Sequence, residues 1–438
     1  MNGTCPNVMD DFKCADDFHE VFNVDLQYQA MLLEIRRTGY LKPARQHQRL
    51  SIPHTTFTFP DVTVSVPLVR GKKLLLLPML HELLWFCSGQ TDIAYLKSRN
   101  VNIWDGWVKA GTEVWAELTW ADRIRLVEKR GLMDQFKEVT ARYPDDLNRQ
   151  EIWMDNYSIP SRKLIGGQLG PVYGAQWRRI EDTQIIFTGD SEHMERYNAL
   201  LAKGYVKQGM YEAGETGYDN VVMTGYIDQL GDVLDLLDND PGSSRMVVSA
   251  WNPRDLPKMQ LPPCHMSFQL VLGAPHYRSL HNVEHVIHMN AYQRSCDAPL
   301  GGPFNWASYS TLLHIIAAVS KTKLSAGGLQ YSMGDCHIYK NQLGAPISKL
   351  QHQLDTEIAR LGELETVTDA MIDAPKLKIN VPEALTTKWA GCDKYYGTRY
   401  RFDEFIAHCM ELPDDELLKV FDYTYENYQP HVHFPVSI

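Results

Sequence analysis

Four short stretches hold residues whose types and spacing could do chemistry. LPPCHMSFQL sets Cys264 between two prolines and a histidine, directly ahead of a run that reads as a strand. A thiol becomes a strong nucleophile once a neighbouring cation lowers its pKa. A cysteine so placed can equally be an inert core residue, and His265 a hydrogen-bonded core histidine rather than a base. AYQRSCDAPLGGPFNWASYS supplies Arg294 and Ser295, a cation and a hydroxyl suited to a phosphate. It also holds Asp297 beside a Gly-Gly-Pro loop that begins at Gly301, and Asn305 just before an apolar run. The Asn305 carboxamide donates and accepts at once, matching the O4 and N3–H of a uracil; the plainer reading of an asparagine there is a helix cap. GDCHIYKNQ spaces His337 and Tyr339 two apart, so on a strand both lie on one face and could hydrogen-bond a ribose. Cys336, adjacent to His337, would point the other way. HELLWFCSG surrounds Glu82 with Leu83, Leu84, Trp85 and Phe86. A carboxyl among such neighbours should have a raised pKa and suit proton shuttling.

The elements that must position these residues can be read from periodicity. Residues 26–38 have helical apolar spacing and stop at Gly39. Residues 50–69 alternate around Phe57, Phe59, Val62, Val64 and Val66 and read as strands broken at Pro60–Asp61. Pro78 falls in the first turn of a helix ending at Gly89, and residues 91–98 continue helically. Residues 225–238 read as a helix, 245–251 and 266–273 as strands, and 306–320 as a buried helix. Residues 343–438 hold further helices and end in an apolar tail, HFPVSI. Strand runs mixed with long helices argue for an α/β or α+β class. The stretch 108–165, rich in charge and aromatics, reads as an inserted subdomain containing a helix and irregular loop.

Composition removes several functions. With 43 basic against 54 acidic residues the net charge is −11, a poor balance for broad nucleic-acid binding. The first residues, MNGTCPNVMDDFKCADD, lack the basic and apolar regions of a secretory signal. No run approaches the ~20 apolar residues of a membrane helix. Eight scattered cysteines without CxxC pairs suggest free thiols in a reducing compartment and no metal. The expectation is a cytoplasmic protein, in the host cytoplasm if the source is viral.

Taken together and in order, HELLWFCSGQTDIAYL, NVNIWDGW, LGPVYGAQWR, VVSAWNP, PPCH, YQRSCD, PFNWASY, GDCHIYKNQ and the terminal PVSI resemble the thymidylate synthase family across residues 45–438. The resemblance implies a single α/β domain spanning 1–438, with a large mixed β-sheet whose face packs against a second copy in a homodimer. It implies dUMP as substrate, 5,10-methylenetetrahydrofolate as co-substrate, and reductive methylation to dTMP. In that scheme Cys264 adds to C6 of the base, Glu82 manages protons through water, Tyr173 assists loss of the C5 proton, and Asn305 reads the base. Arg45, Arg294 and Ser295 fall to the phosphate and the catalytic pocket, His337 and Tyr339 to the ribose, and Arg245 to the partner's phosphate site. Trp104, Trp107, Asp297, Gly301 and the terminal Ile438 fall to the folate side, with the tail closing over the ligands.

The sequence also departs from the family. Its phosphate loop usually reads like RTGTG but is RQHQR here, residues 45–49; a pair of arginines has become Ser244–Arg245; and Trp306 follows Asn305 where a smaller aliphatic is usual. The segment 108–165, parts of 180–222 and a stretch over 345–400 are extra. A related activity, release of 5-hydroxymethyl-dUMP after water attacks the exocyclic methylene, is the alternative within the family. From other classes, an inactive homologue acting as a binding or regulatory protein predicts lost site residues, which Cys264, Glu82, Asn305, His337 and Tyr339 oppose. A cysteine hydrolase would leave the Asn305 and Tyr339 segments without a use.

Overall fold

The run SIPHTTFTF alternates and forms a strand, whereas the equally apolar residues 62–69 behind it do not. Asp61 turns the chain: its carboxylate accepts from the Thr63 N–H at 3.0 Å and from the Thr63 hydroxyl at 2.6 Å. Val62 and Val66 then donate their N–H groups to the carbonyls of Gly327 and Pro375. Val62, Val64, Val66, Leu68 and Val69 are all buried, so this is core coil rather than the second strand that its alternation suggests. Burial on every side replaced the ladder that the pattern implied.

The computed structural model describes residues 24–44, 48–70, 72–144, 146–187, 191–212, 219–275, 285–343, 375–391 and 395–424. It divides into two compact units, Met1–Gln90 with Pro171–Ile438, and Thr91–Gly170. The larger unit begins with α1 (Val24–Thr38), β1 (Tyr40–Lys42), β2 (Arg49–Phe59) and α2 (Leu76–Cys87).

The smaller unit contains α3 (Ala94–Ser98), β3 (Val114–Glu117), α4 (Trp120–Lys129), α5 (Met133–Arg142), α6 (Leu147–Asn156) and β4 (Arg162–Gly166). It holds the whole 108–165 stretch and is more regular than a helix and a loop. Val127, Phe136, Met154 and Ile159 form its core, with Trp120 and Trp153 packed against it. A capping box between Thr119 and Asp122 starts α4, and β3 pairs antiparallel with β4.

The larger unit resumes with α7 (Tyr173–Arg178), β5 (Ile180–Phe187), α8 (Ser191–Ala202), β6 (Val206–Glu212), β7 (Asp219–Ile227), α9 (Gln229–Asn239), β8 (Val247–Ser249), β9 (His265–Gly273), β10 (Val286–Asp297), α10 (Gly301–Val319) and β11 (Ser325–Tyr339). It closes with β12 (Lys376–Ile379), α11 (Glu383–Gly391), α12 (Thr398–Glu411), α13 (Asp414–Val420) and β13 (Phe421–Thr424). The main sheet has the order β1-β2-β11-β10-β9-β8. It is mixed, because β10 and β11 run parallel and every other pair is antiparallel. That is the α/β class with a large mixed sheet expected from the sequence. The helix expected over 225–238 starts later, at Gln229: residues to Ile227 pair with β5, and the Asp228 side chain accepts from Gly231 N–H as the cap. The strand expected over 245–251 is only Val247–Ser249. β5, β7 and β6 make a separate three-stranded sheet.

α10 links the parallel pair. Nearly all its residues from Trp306 to Val319 are buried, as befits a helix with no charged side chain, and Thr311 and His314 bond back to the Ala307 and Ser310 carbonyls. Asn305 lies inside its first turns, not at its cap.

A charged knot ties α2, α7, α9 and α12 together. Arg178 forks onto Asp228 at 2.8 and 2.9 Å, reaches Asp403 at 2.7 Å and donates to the Cys87 carbonyl at 3.1 Å. Arg399 shares Asp228 at 2.8 Å. Removing one member of a largely buried pair strands the other charge. Arg178→Ala is therefore expected to cost about 3 kcal/mol, read as a lower urea midpoint; an unchanged midpoint would show the knot to be structurally idle.

Candidate active site

Cys264 ends the loop that enters β9, and its main chain is fixed at both ends. Its N–H donates to the Tyr173 hydroxyl at 2.7 Å, and its carbonyl accepts from the Arg294 N–H at 2.8 Å. Arg294 is braced on the same loop: Nε donates to the Pro263 carbonyl at 2.8 Å and Nη2 to that of Pro262 at 3.1 Å. Its guanidinium lies 5.3 Å from the Trp251 ring. The two prolines thus offer carbonyls without competing N–H groups, and a cation is held at the cysteine turn. The side chain of Cys264 is half-buried, whereas Cys87, Cys296, Cys336 and Cys409 are buried.

Tyr173 opens α7 and packs on α2. Gly89, at φ +76°, ends α2, and a Cβ at Gly174 would come within 3.0 Å of the Phe86 and Gln90 carbonyls. That close approach sets the Tyr173 ring 4.8 Å from Phe86 and stacks it on His265 at 4.1 Å. Burial pushes the Tyr173 hydroxyl well up, with the charges of Cys264 and Glu82 adding to the effect. It therefore stays protonated at neutral pH. Glu82, half-buried on α2, is close enough to act on Tyr173 electrostatically. His265 meets the Tyr309 hydroxyl at 2.8 Å, and burial lowers its pKa to about 3. A ring this weakly basic takes up a thiol proton poorly and cannot hold an imidazolium opposite a thiolate, which disfavours it as the basic partner in a cysteine hydrolase.

Asn305 Nδ2 donates to Gln293 Oε1 at 3.1 Å. Gln293 is 1% exposed; its Nε2 donates to the Ser295 carbonyl at 2.8 Å, and its Oε1 also accepts from the Tyr331 hydroxyl at 2.9 Å. Gln293 and Tyr331 are absent from the reading of motifs one by one. The available signal was strand parity: Met289, Ala291 and Gln293 all face inward on β10, and a polar residue on an inward face needs a partner.

His337 and Tyr339 lie on β11 with ring centroids 4.9 Å apart. The His337 Nδ1 faces the Asp335 carbonyl at 3.1 Å, so that nitrogen carries the proton. Its Nε2 is buried and has no hydrogen-bond partner among the described residues. Asp335, also unflagged by sequence, is held well below the usual carboxylate range by the His337 ring first, then by Ser51 and Arg49. Arg49, at the end of the altered loop, reaches Asp335 at 3.1 Å and is the register neighbour of Tyr339.

Asp297 pairs in register with His337 and Ser295 with Asp335, across β10 and β11. Gln342 Nε2 donates to both Asp297 oxygens at 3.2 Å. Desolvation raises the Asp297 pKa against the pull of His337, Gln342 and Lys72. Lys72 is itself buried, which lowers its pKa to about 8. Gly301 begins α10, its added Cβ meeting only Asp297 at 3.9 Å. Arg245 is exposed ahead of β8 and makes no ion pair among the described residues. Trp104 is buried in the smaller unit, beside the 3-10 turn Asp105–Trp107. Arg45 and Ile438 lie outside the described residues, as does most of the 345–400 stretch.

The larger unit therefore contains a turn-fixed cysteine with its arginine, a protonated tyrosine on α7, an anchored carboxamide on α10 and a histidine–tyrosine pair on β11. The sequence profile described as "Thymidylate synthase" matches residues 26–380. A protein named thymidylate synthase from Listeria monocytogenes serotype 4b (strain CLIP80459) is 30% identical over 302 residues, 67% of this chain and 77% of that one. One of the same name from Listeria innocua serovar 6a (strain ATCC BAA-680 / CLIP 11262) is 30% identical over 301 residues, with the same shares covered. The chain belongs to the thymidylate synthase family. Its class is accordingly that of one-carbon transferases of nucleotide biosynthesis.

Proposed function

We propose that this protein methylates dUMP reductively at C5 to give dTMP. The observation that carries the reading is the fixed Cys264 turn, with Tyr173 on its N–H and Arg294 on its two prolyl carbonyls. Arg294, anchored on the carbonyls of the two residues before Cys264, is the cation offered to the sulfur as it takes on negative charge. The sulfur then bonds to C6 of the base, and the electron pair moves to C5, which becomes nucleophilic. Asn305 offers the O4 of uracil its second N–H and the N3–H its carbonyl oxygen, since Gln293 already holds the first N–H. His337 Nε2, an acceptor by its tautomer, accepts a hydrogen bond from the ribose 3′-hydroxyl, with Tyr339 beside it. Tyr173, kept protonated by burial, orders the water through which the C5 proton leaves, and Glu82 exchanges protons at O4.

Methylenetetrahydrofolate, when bound, supplies the one-carbon unit and the hydride. The residues present fit such a group: Asp297, raised by desolvation, is a half-buried carboxyl suited to the N–H groups of a pterin. Gly301 leaves room above it. The assignments of Trp104, Trp107 and Ile438 to the folate side, of Arg45, Arg294 and Ser295 to the phosphate, and of Arg245 to the phosphate of a partner subunit in a homodimer rest on the family resemblance.

Absorbance at 340 nm, followed with dUMP and methylenetetrahydrofolate, tests the proposal. Reductive methylation releases dihydrofolate, so absorbance rises in step with tritium release from [5-³H]dUMP. Tritium release with a flat 340 nm trace would instead mean that water, not hydride, reaches the exocyclic carbon, and the product would be 5-hydroxymethyl-dUMP.

A further inference from the structure

Gln293 Oε1 accepts from two donors, Asn305 Nδ2 at 3.1 Å and the Tyr331 hydroxyl at 2.9 Å. Tyr331 sits on β11 and is 0% exposed, its ring edge-on to Tyr309 at 5.6 Å. Among the described residues, Gln293 Oε1 is the one acceptor its hydroxyl meets. A buried hydroxyl whose proton finds no acceptor is disfavoured. A carboxamide looks nearly the same to its surroundings whichever way round it sits, so its orientation is decided by the hydrogen bonds it must satisfy.

This matters because cytosine is the mirror image of uracil at the edge Asn305 faces: N3 accepts and the 4-amino group donates. To read cytosine, Asn305 must rotate by half a turn and point Oδ1 at Gln293. Gln293 must then rotate as well, turning Nε2 toward both Asn305 and Tyr331 and Oε1 toward the Ser295 carbonyl. In that arrangement the Tyr331 proton loses its acceptor. Two carbonyl oxygens, of Gln293 and Ser295, also face one another.

We propose that Tyr331 is a specificity-determining positioning residue. Its hydroxyl proton locks the Gln293–Asn305 amide pair in the orientation that accepts uracil and refuses cytosine. This rests on the reading of Asn305 as the residue that meets the base. Tyr331 acts only through Gln293. Burial also pushes its hydroxyl well above the usual phenol range, so it remains a donor across the working pH range.

The test compares Tyr331→Phe with the unaltered full chain, measuring kcat/KM by tritium release from [5-³H]dUMP and [5-³H]dCMP, and the binding of each nucleotide directly. The ring and its packing are kept, and only the proton is removed. The dUMP:dCMP preference is expected to fall about tenfold, with dCMP improving in absolute terms. Loss of fold alone would weaken both nucleotides together. Tyr423→Phe, which deletes a buried hydroxyl bonded to Thr311 at 2.6 Å, serves as control and should leave the preference unchanged. If Tyr331→Phe leaves the preference unchanged while Asn305→Asp shifts it, the lock is wrong and the base reader stands. If neither substitution shifts it, the base-reader assignment falls, and the lock falls with it.

Discussion

Cys264→Ala is expected to lower turnover by at least about 10⁴-fold while dUMP still binds within a fewfold of its normal affinity. The loss is large because the thiol is bonded to the substrate in every productive step; without it C5 never becomes electron-rich, and no neighbouring group can substitute. The other cysteines of described placement are buried. Binding should survive because Asn305, His337 and Tyr339 belong to other strands and helices than the cysteine turn. Alanine also keeps the main-chain bonds to Tyr173 and Arg294, which involve only the N–H and carbonyl of residue 264. Calorimetric titration with dUMP and a tritium-release assay separate the two quantities. Appreciable turnover by the alanine variant would refute the nucleophile assignment, whereas loss of binding alone would make Cys264 a structural residue of the pocket.

Asn305→Asp should move the dUMP:dCMP preference toward dCMP by on the order of 10³-fold, since two polar pairings change together. A carboxyl that shares a proton with N3 and accepts from the 4-amino group suits cytosine, and its second oxygen faces the O4 of uracil with repulsion. The same substitution meets Gln293 Oε1 with an acceptor in place of the Nδ2 donor at 3.1 Å. Gln293 must therefore turn over or the carboxyl must stay protonated, so part of the dUMP activity is lost through the anchor as well as at the base. A preference that does not respond would mean that another group reads the ring.

Reading by pattern succeeded where one element alone sets the outcome. α10 was legible because a long run without a charged residue has no charged face to turn outward, and β9 because the pattern over 266–273 matches a strand that the structure begins one residue earlier, at His265. It failed at residues 62–69, where an apolar run alternates like a strand but is enclosed on all sides. Alternation records which side chains are buried and is silent about where the backbone hydrogen bonds go. The helix before Asp228 failed for a related reason: the cap residue lay inside the expected span, and β7 claimed the residues ahead of it.

By itself the sequence determined the chemistry available: a cysteine preceded by prolines, an amide before an apolar helix, and a histidine and a tyrosine two apart on one strand. Those follow from residue identity and local period. Only the tertiary structure decided which of these groups are fixed and by what. The hydroxyl under Cys264 comes from residue 173, the two donors on Gln293 come from α10 and β11, and the anchor of His337 is shared with Arg49 and Ser51 of β2. Orientation of an amide or an imidazole is set by hydrogen bonds from segments far apart in the chain. Local sequence therefore names the groups, but only the packing of the sheet against α10 aims them.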